Sequence, residues 1–257
     1  MKNYNKSINV VISVFFQLTL ILLWQLVVDK GGIPQYILPS PKNIINTFFK
    51  IMPDLKPHIY ATLYEALLGF SISVTLAIIL AIIMDSVKIL KSCIYPILVI
   101  SQTIPTIALA PIFIIWFGFG MLPKVIVVVM VCFFPIVISL IDGLEAADED
   151  MLNLMDIMGA SKIQKFTFVK FPGSLNSFFS GLRIAATYSI MGAVIGEWLG
   201  GDKGLGIFMV RAKNSYALDK IFAAIIVIII LSIALFGFIY MLQYIFMPWT
   251  RKIKERK

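Results

Sequence analysis

The sequence predicts an all-α membrane protein that crosses the bilayer about six times. Three observations carry that prediction. Only 14% of the residues are charged, against about 25% in soluble domains. The mean hydropathy is +0.94. The remaining charges bracket long uncharged runs, over residues 7–28, 66–84, 92–123, 125–141 and 221–250. A hydrocarbon core of ~30 Å takes roughly 20 apolar helical residues to cross, so each run supplies most or all of one crossing. The chain is expected to form a single transmembrane domain over residues 1–257.

The spans are placed at 8–28, 60–84, 92–117, 123–141, 175–197 and 221–247. Lys2 and Lys6 precede the first, as in a signal peptide. The apolar run is longer than a signal core and no small-residue cleavage site follows at 29–33, so it reads as a retained span. Residues 31–57 open on turn formers (Gly31, Gly32, Pro34, Pro39, Ser40, Pro41). An amphipathic stretch follows, with Ile44, Ile45, Phe48, Phe49 and Met52 on one face. In the third span Pro96, Pro105 and Pro111 imply kinks or a lead-in segment, which neighbouring helices make tolerable. Arg183 interrupts the fifth. Residues 200–220 begin with Gly200, Gly201, Gly204 and Gly206 and end polar.

An even number of crossings puts both termini on one face. With that face inside, twelve Lys and Arg are cytoplasmic and nine external, and the longer external segments count for less. The expectation is therefore a multi-pass plasma-membrane protein with both termini cytoplasmic. The net charge of +8 does not point to nucleic acid. Five basic residues crowd into 251–257 beside the last span, where they suit anionic lipid. Cys93 and Cys132 lie in apolar helix with no disulfide or metal-ligand spacing, and read as packing residues. No internal repeat is evident, against a secondary transporter built from two similar halves.

The most unusual stretch is the insert 142–172, whose second part reads NLMDIMGASKIQKFTFVKFP. Its six acids precede its three lysines. Met151, Leu154, Met155 and Met158 recur at helical spacing and form one apolar face. Gly159 stands where a helix ends in a left-handed residue. Ser161 and Gln164 then fit a capping box. Ile163, Phe166 and Val169 continue the apolar face until Pro172, expected to stop the helix. Helix, glycine turn and short helix could form a hairpin on the lipid surface, or a docking element whose Met side chains adapt to a partner's groove.

This stretch resembles the EAA loop of ABC importer permeases: Glu-Ala-Ala, three residues, Gly, nine residues, then Ile-x-Leu-Pro. From Gly159, nine residues lead to Val169-Lys170-Phe171-Pro172. Counting back, the Glu-Ala-Ala slots fall on Asn153, Leu154 and Met155, while the literal Glu145-Ala146-Ala147 comes eight residues too early. SQTIPTIALAPIFIIWFG, from Ser101 to Gly118, resembles the third-span signature of the nitrate, sulfonate and taurine branch, and EWLGGDKGLG, from Glu197 to Gly206, the outer end of its fifth span.

The resemblance implies a type I ABC importer permease fold, with a pathway between two permease subunits, here a homodimer. An external binding protein delivers the solute. The insert docks as a coupling helix on a cytoplasmic ATPase dimer through Asn153, Leu154, Met155, Met158, Gly159, Ala160 and Ser161, with Pro172 closing the motif. The chain has no Gly-x4-Gly-Lys-Ser/Thr phosphate loop, so ATP is bound by the partner, and the chain is neither enzyme nor cofactor protein. The branch carries nitrate, sulfonates such as taurine, and pyrimidine precursors of thiamine; the Glu-Trp-Leu-Gly-Gly stretch looks more like the pyrimidine-type members.

Polar residues within the spans have two readings each. Arg183 either snorkels to the cytoplasmic surface or meets an anionic substrate. Glu197 either faces the pathway or an outer gate, or is a helix-end charge. Ser101, Gln102, Thr103 and Thr106 either line the route beside Pro105 or bond helix to helix. Glu65 is expected at the interface, and His58 is assigned no role. A secondary transporter or channel without an ATPase partner is the alternative, and it leaves the docking-like insert unexplained.

Overall fold

The computed structural model describes residues 2–248, with side chains from Val11 onward. The basic tail 251–257 and the side chains of Lys2 and Lys6 lie outside the described residues. The order is α1 (Lys2–Lys30), α2 (Pro41–Ser86), α3 (Lys88–Ser101), α4 (Thr106–Phe117), α5 (Met121–Glu145), α6 (Glu149–Ile157), α7 (Lys162–Lys165), a π-helical turn (Phe166–Lys170), α8 (Phe171–Trp198), α9 (Leu205–Asn214) and α10 (Leu218–Phe246). The fold is all-α. Five helical stretches are long and apolar enough to cross a membrane, and α3 with α4 makes a sixth if the bent pair counts as one. One end of the bundle, the terminal end, carries the start of α1, the end of α10 and the insert; the loops 31–40, 118–120 and 199–204 lie at the far end.

Antiparallel α5 and α8 form the centre. Ile136, Val137, Leu140 and Leu144 of α5 and Ala185, Ala186, Ile190 and Ala193 of α8 are buried against each other and α2. With lipid outside as apolar as the core, such helices associate through close packing of small residues. A Cβ on Gly181 would stand 2.7 Å from the Pro135 carbonyl oxygen. In contrast, α1 is mostly exposed from Val11 to Lys30. It is attached by the Trp24–Phe222 ring contact at 5.7 Å and by Gln25 Oε1, which accepts from the Lys42 amide at 3.1 Å.

Two elements differ from the sequence expectation, and a third makes it more definite. The amphipathic stretch after residue 41 is not a separate segment but the first third of the 46-residue α2. Ser40 caps this helix and Pro41 occupies its first turn. Its buried stripe runs Ile44, Thr47, Ile51, Leu55, while Ile45 and Phe49 face outward. Pro53 and Pro57 do not break it: both are exposed, so the carbonyls they leave unpaired face outward, away from the core. The third span, expected over 92–117 with kinks or a lead-in segment, is broken outright: α3 and α4 meet at 99°. At 1.5 Å per residue each piece is roughly 20 Å long, too short alone for a ~30 Å core. Pro105 forces its predecessor out of helix and sets the corner.

The second departure concerns Pro172, which does not stop a helix. It stands in the first turn of α8, and the chain is helical on both sides of it. The π-helical turn absorbs the misfit, with the Phe171 amide bonding back five residues to the Phe166 carbonyl. The widened turn gives the proline ring room that a regular α-helix denies it.

Candidate functional site

The insert is a free-standing helix–turn–helix at the terminal end. Asp148 starts α6 by accepting from the amides of Asp150 and Met151 at 2.9 and 3.2 Å, and Glu149 and Asp150 in the first turn complement the helix dipole. Gly159 ends the helix with φ +74°. Its amide reaches the Asp156 carbonyl and the Ala160 amide the Met155 carbonyl. The capping box is complete: Ser161 Oγ accepts from the Gln164 amide, and Gln164 Oε1 from the Ser161 amide at 2.7 Å. Lys165 Nζ pairs with Asp156 across the turn at 2.6 Å.

Two ion pairs fix the insert's root. Lys170 Nζ lies 2.7 Å from Asp85 Oδ1 at the end of α2, and Lys91 of α3 pairs with Glu145. The literal Glu-Ala-Ala thus belongs to the root. These charges line a cavity of about 300 Å³ together with Leu152 and Met84.

No residue of α6 is buried. Its apolar face differs from the expected one by part of a turn. Met155 is half-buried, whereas Ile157, which the sequence reading passed over, is 85% exposed and Met158 77% exposed. Met151, Leu154 and, across the turn, Ile163 extend that face. Asn153 and Ser161 are exposed and Ala160 half-buried beside it.

The residues proposed for a route are not brought together. Ser101, Gln102, Thr103 and Thr106 sit at the α3–α4 corner, where Ser101 and Thr103 turn their hydroxyls back to the carbonyls of Ile97 and Ile100. Arg183 is half-buried at the terminal end, bonded to Gln243 Oε1 and, at 2.9 Å, to Ser180 Oγ. Its guanidinium reaches back along α8 toward the terminal end and does not meet the α3–α4 corner.

Glu197, one residue before the end of α8, is fully buried at the far end and is therefore no exposed helix-end charge. Its Oε1 accepts from Thr62 Oγ1 and its Oε2 from the Gly206 amide, both at 2.6 Å. Thr62 Oγ1 in turn accepts from the Leu205 amide at 2.9 Å. His58 Nδ1 lies 2.8 Å from the Gly204 carbonyl and 3.0 Å from its amide, with its ring against Phe208. These three side chains from α2 and α8 cap the start of α9. Glu65, expected at the interface, forms a buried pair with Lys124 Nζ at 2.8 Å, joining α2 to α5. No local signal marks these partners: Thr62 and Glu197 are 135 positions apart.

Comparison with known proteins agrees with this architecture. Residues 73–252 match the family model described as binding-protein-dependent transport system inner membrane component. The formylaminopyrimidine transport permease protein of Halalkalibacterium halodurans is 39% identical over 238 residues, covering 92% of this chain and 95% of that protein. The riboflavin transport system permease protein of Chloroflexus aurantiacus is 31% identical over 90% of this chain and 87% of its own. The taurine transport system permease protein of Escherichia coli is 26% identical over 96% and 93%. The chain therefore belongs to the inner membrane components of binding-protein-dependent transport systems, as a multi-pass ABC permease subunit that leaves ATP hydrolysis to a separate ATPase.

Proposed function

We propose that two copies of this chain form the conduit of an ATP-driven importer, with α6 as the coupling helix and the terminal end, both termini included, in the cytoplasm. The observation that carries the reading is the apolar face of Leu154, Ile157 and Met158 on a helix with nothing buried beneath it. That helix also carries Glu149, Asp150 and Asp156. An acidic helix is repelled by the anionic surface that basic segments seek, so a protein groove suits it better than lipid. The solute is delivered by an external binding protein and is of the pyrimidine type, on the strength of the relative that shares 39% identity. A taurine-like sulfonate or nitrate is the second reading, from relatives at 26% and 28%. Ser101, Gln102, Thr103, Thr106, Arg183 and Glu197 are the polar groups proposed for a route.

The test is reconstitution with the cognate ATPase and binding protein. The chain alone hydrolyses no ATP; the assembly does, faster with loaded binding protein. Ile157→Asp buries a carboxylate in the dock and reduces ATPase co-purification at least tenfold, whereas the same change at half-buried Met155 also disturbs the insert itself. Undiminished co-purification of Ile157→Asp removes α6 from the interface. Binding of candidate solutes to the binding protein, by thermal shift, decides the substrate.

Pairing of two copies has its own mark. The central helix α8 leaves Ile184, Tyr188 and Met191, spaced along one face, exposed at 47%, 42% and 47%. Tyr188→Cys in a Cys93→Ser background is expected to crosslink to a second copy in membranes. Capture of a different permease instead shows a heterodimer.

A further inference from the structure

A cleft of about 330 Å³ opens at the terminal end between α5, α8 and α10. Arg183 forms its inner wall, and its only hydrogen-bond partners among the described residues are neutral, Gln243 and Ser180. No carboxylate among the described residues lies within ion-pair distance of its guanidinium. A guanidinium stays charged and offers five N–H donors, so a half-buried one with two neutral partners leaves donors aimed at an oxyanion.

The opposite charge stands at the mouth. Asp142 lines the same cleft, is exposed, and makes no ion pair among the described residues. The helix register fixes their relative depth. A Cβ on Gly181 would lie 2.7 Å from Ser139, and one on Gly143 2.8 Å from Ser177. In antiparallel helices this sets Asp142 level with residue 178 of α8. The backbone of Arg183 is about five residues further in, and its guanidinium reaches back to Ser180, so the positive charge stands about two residues, roughly 3 Å, deeper than Asp142. Asn176, Ser180 and Gln243, which line the space, are neutral groups able both to donate and to accept.

We infer that the cleft binds a dipolar group of the phosphoethanolamine kind, its oxyanion against Arg183 and its ammonium against Asp142. The order of charges selects this class. A simple anion must pass a carboxylate at the mouth, and a simple cation meets a guanidinium at the floor. In an ethanolamine phospholipid the phosphate lies deeper than the ammonium, two methylene groups away, as Arg183 lies deeper than Asp142. The same chemistry exists in solution as a free ω-amino phosphate or sulfonate. The inference rests on the cleft alone and stands whether or not the pathway runs past it.

The full-length chain in detergent is titrated with short-chain phosphatidylethanolamine, short-chain phosphatidylglycerol and free phosphoethanolamine, following heat of binding and thermal unfolding. The chain should bind the ethanolamine lipid about tenfold or more tighter than the glycerol lipid. Arg183→Gln should lose that binding and Arg183→Lys keep part of it. Asp142→Asn, at an exposed position that leaves the fold intact, should turn the preference toward phosphatidylglycerol. Free phosphoethanolamine binding as tightly as the lipid identifies a soluble ligand; much weaker binding identifies the head group. Equal affinity for the two lipids, absence of binding by all three probes, or an unchanged preference in Asp142→Asn overturns the dipolar site.

Discussion

Gly159→Val is expected to abolish uptake while the chain still inserts and folds. Gly159 has φ +74°, a region a β-branched residue occupies only at ~1–2 kcal/mol of strain. A Cβ there meets nothing within 4 Å, so the cost is backbone strain and not a clash. The consequence is local. With no residue of α6 buried, little packing holds the helix in place against that strain. The turn relaxes, the Ala160 amide loses the Met155 carbonyl, and Leu154, Ile157 and Met158 are re-aimed. The spanning core, centred on α5 and α8, is untouched. Uptake in vesicles and ATPase co-purification should both fall at least tenfold, with the unfolding temperature of the detergent-purified chain nearly unchanged. Glu145→Ala is the contrast. It removes one partly solvated ion pair, with Glu145 57% exposed, worth about 0–1 kcal/mol, and should leave uptake close to normal. If Glu145→Ala stops transport and Gly159→Val does not, the motif is aligned wrongly.

The insert was legible because its signals are local. A Ser and a Gln three apart, a glycine at a helix end and apolar residues at helical spacing each act within one or two turns, and the capping box and left-handed glycine are found where the sequence puts them. The exposed face was misjudged by part of a turn, since spacing alone does not say which side of a short helix rests on its root; Leu152 and Met155 lean inward and Ile157 outward. Pro172 was misread for a related reason. A proline stops an α-helix, but a π-helical turn before it lets the helix continue, and no composition rule announces that turn. The far-end cluster was the least legible. His58 carries no role in the sequence and Glu65 reads as interfacial because their partners, Gly204 and Lys124, lie 146 and 59 positions away. A sequence alone gives such pairs no address.

Glu197→Ala is expected to destabilise the chain more than any surface substitution, and to free the loop before α9. The carboxylate bonds Thr62 and the Gly206 amide at 2.6 Å each, and glycines are required around it. A Cβ on Gly204 would stand 2.2 Å from its Cδ, and Gly204 holds φ +131°. Removing the carboxylate leaves the Gly206 amide buried without an acceptor and a void where the side chain packed. Thr62 is less harmed, because its hydroxyl can turn fully to the His58 carbonyl 3.1 Å away. One orphaned donor and the void together cost on the order of 2–4 kcal/mol. Glu197→Gln should cost less, since the amide oxygen still accepts from Gly206 and Thr62 can reorient to accept from the amide nitrogen. The stability order is therefore wild type, then Gln, then Ala, read from thermal unfolding of the purified chain. Trypsin supplies the local readout: cleavage after Lys203, on the exposed part of the loop, should accelerate in the same order. Gly204→Ala, which pushes on the carboxylate from the other side, should resemble Glu197→Ala. Equal unfolding temperatures for wild type and Glu197→Ala, with unchanged cleavage at Lys203, mean that the loop is held by its glycines and by His58, and that the buried carboxylate serves another purpose.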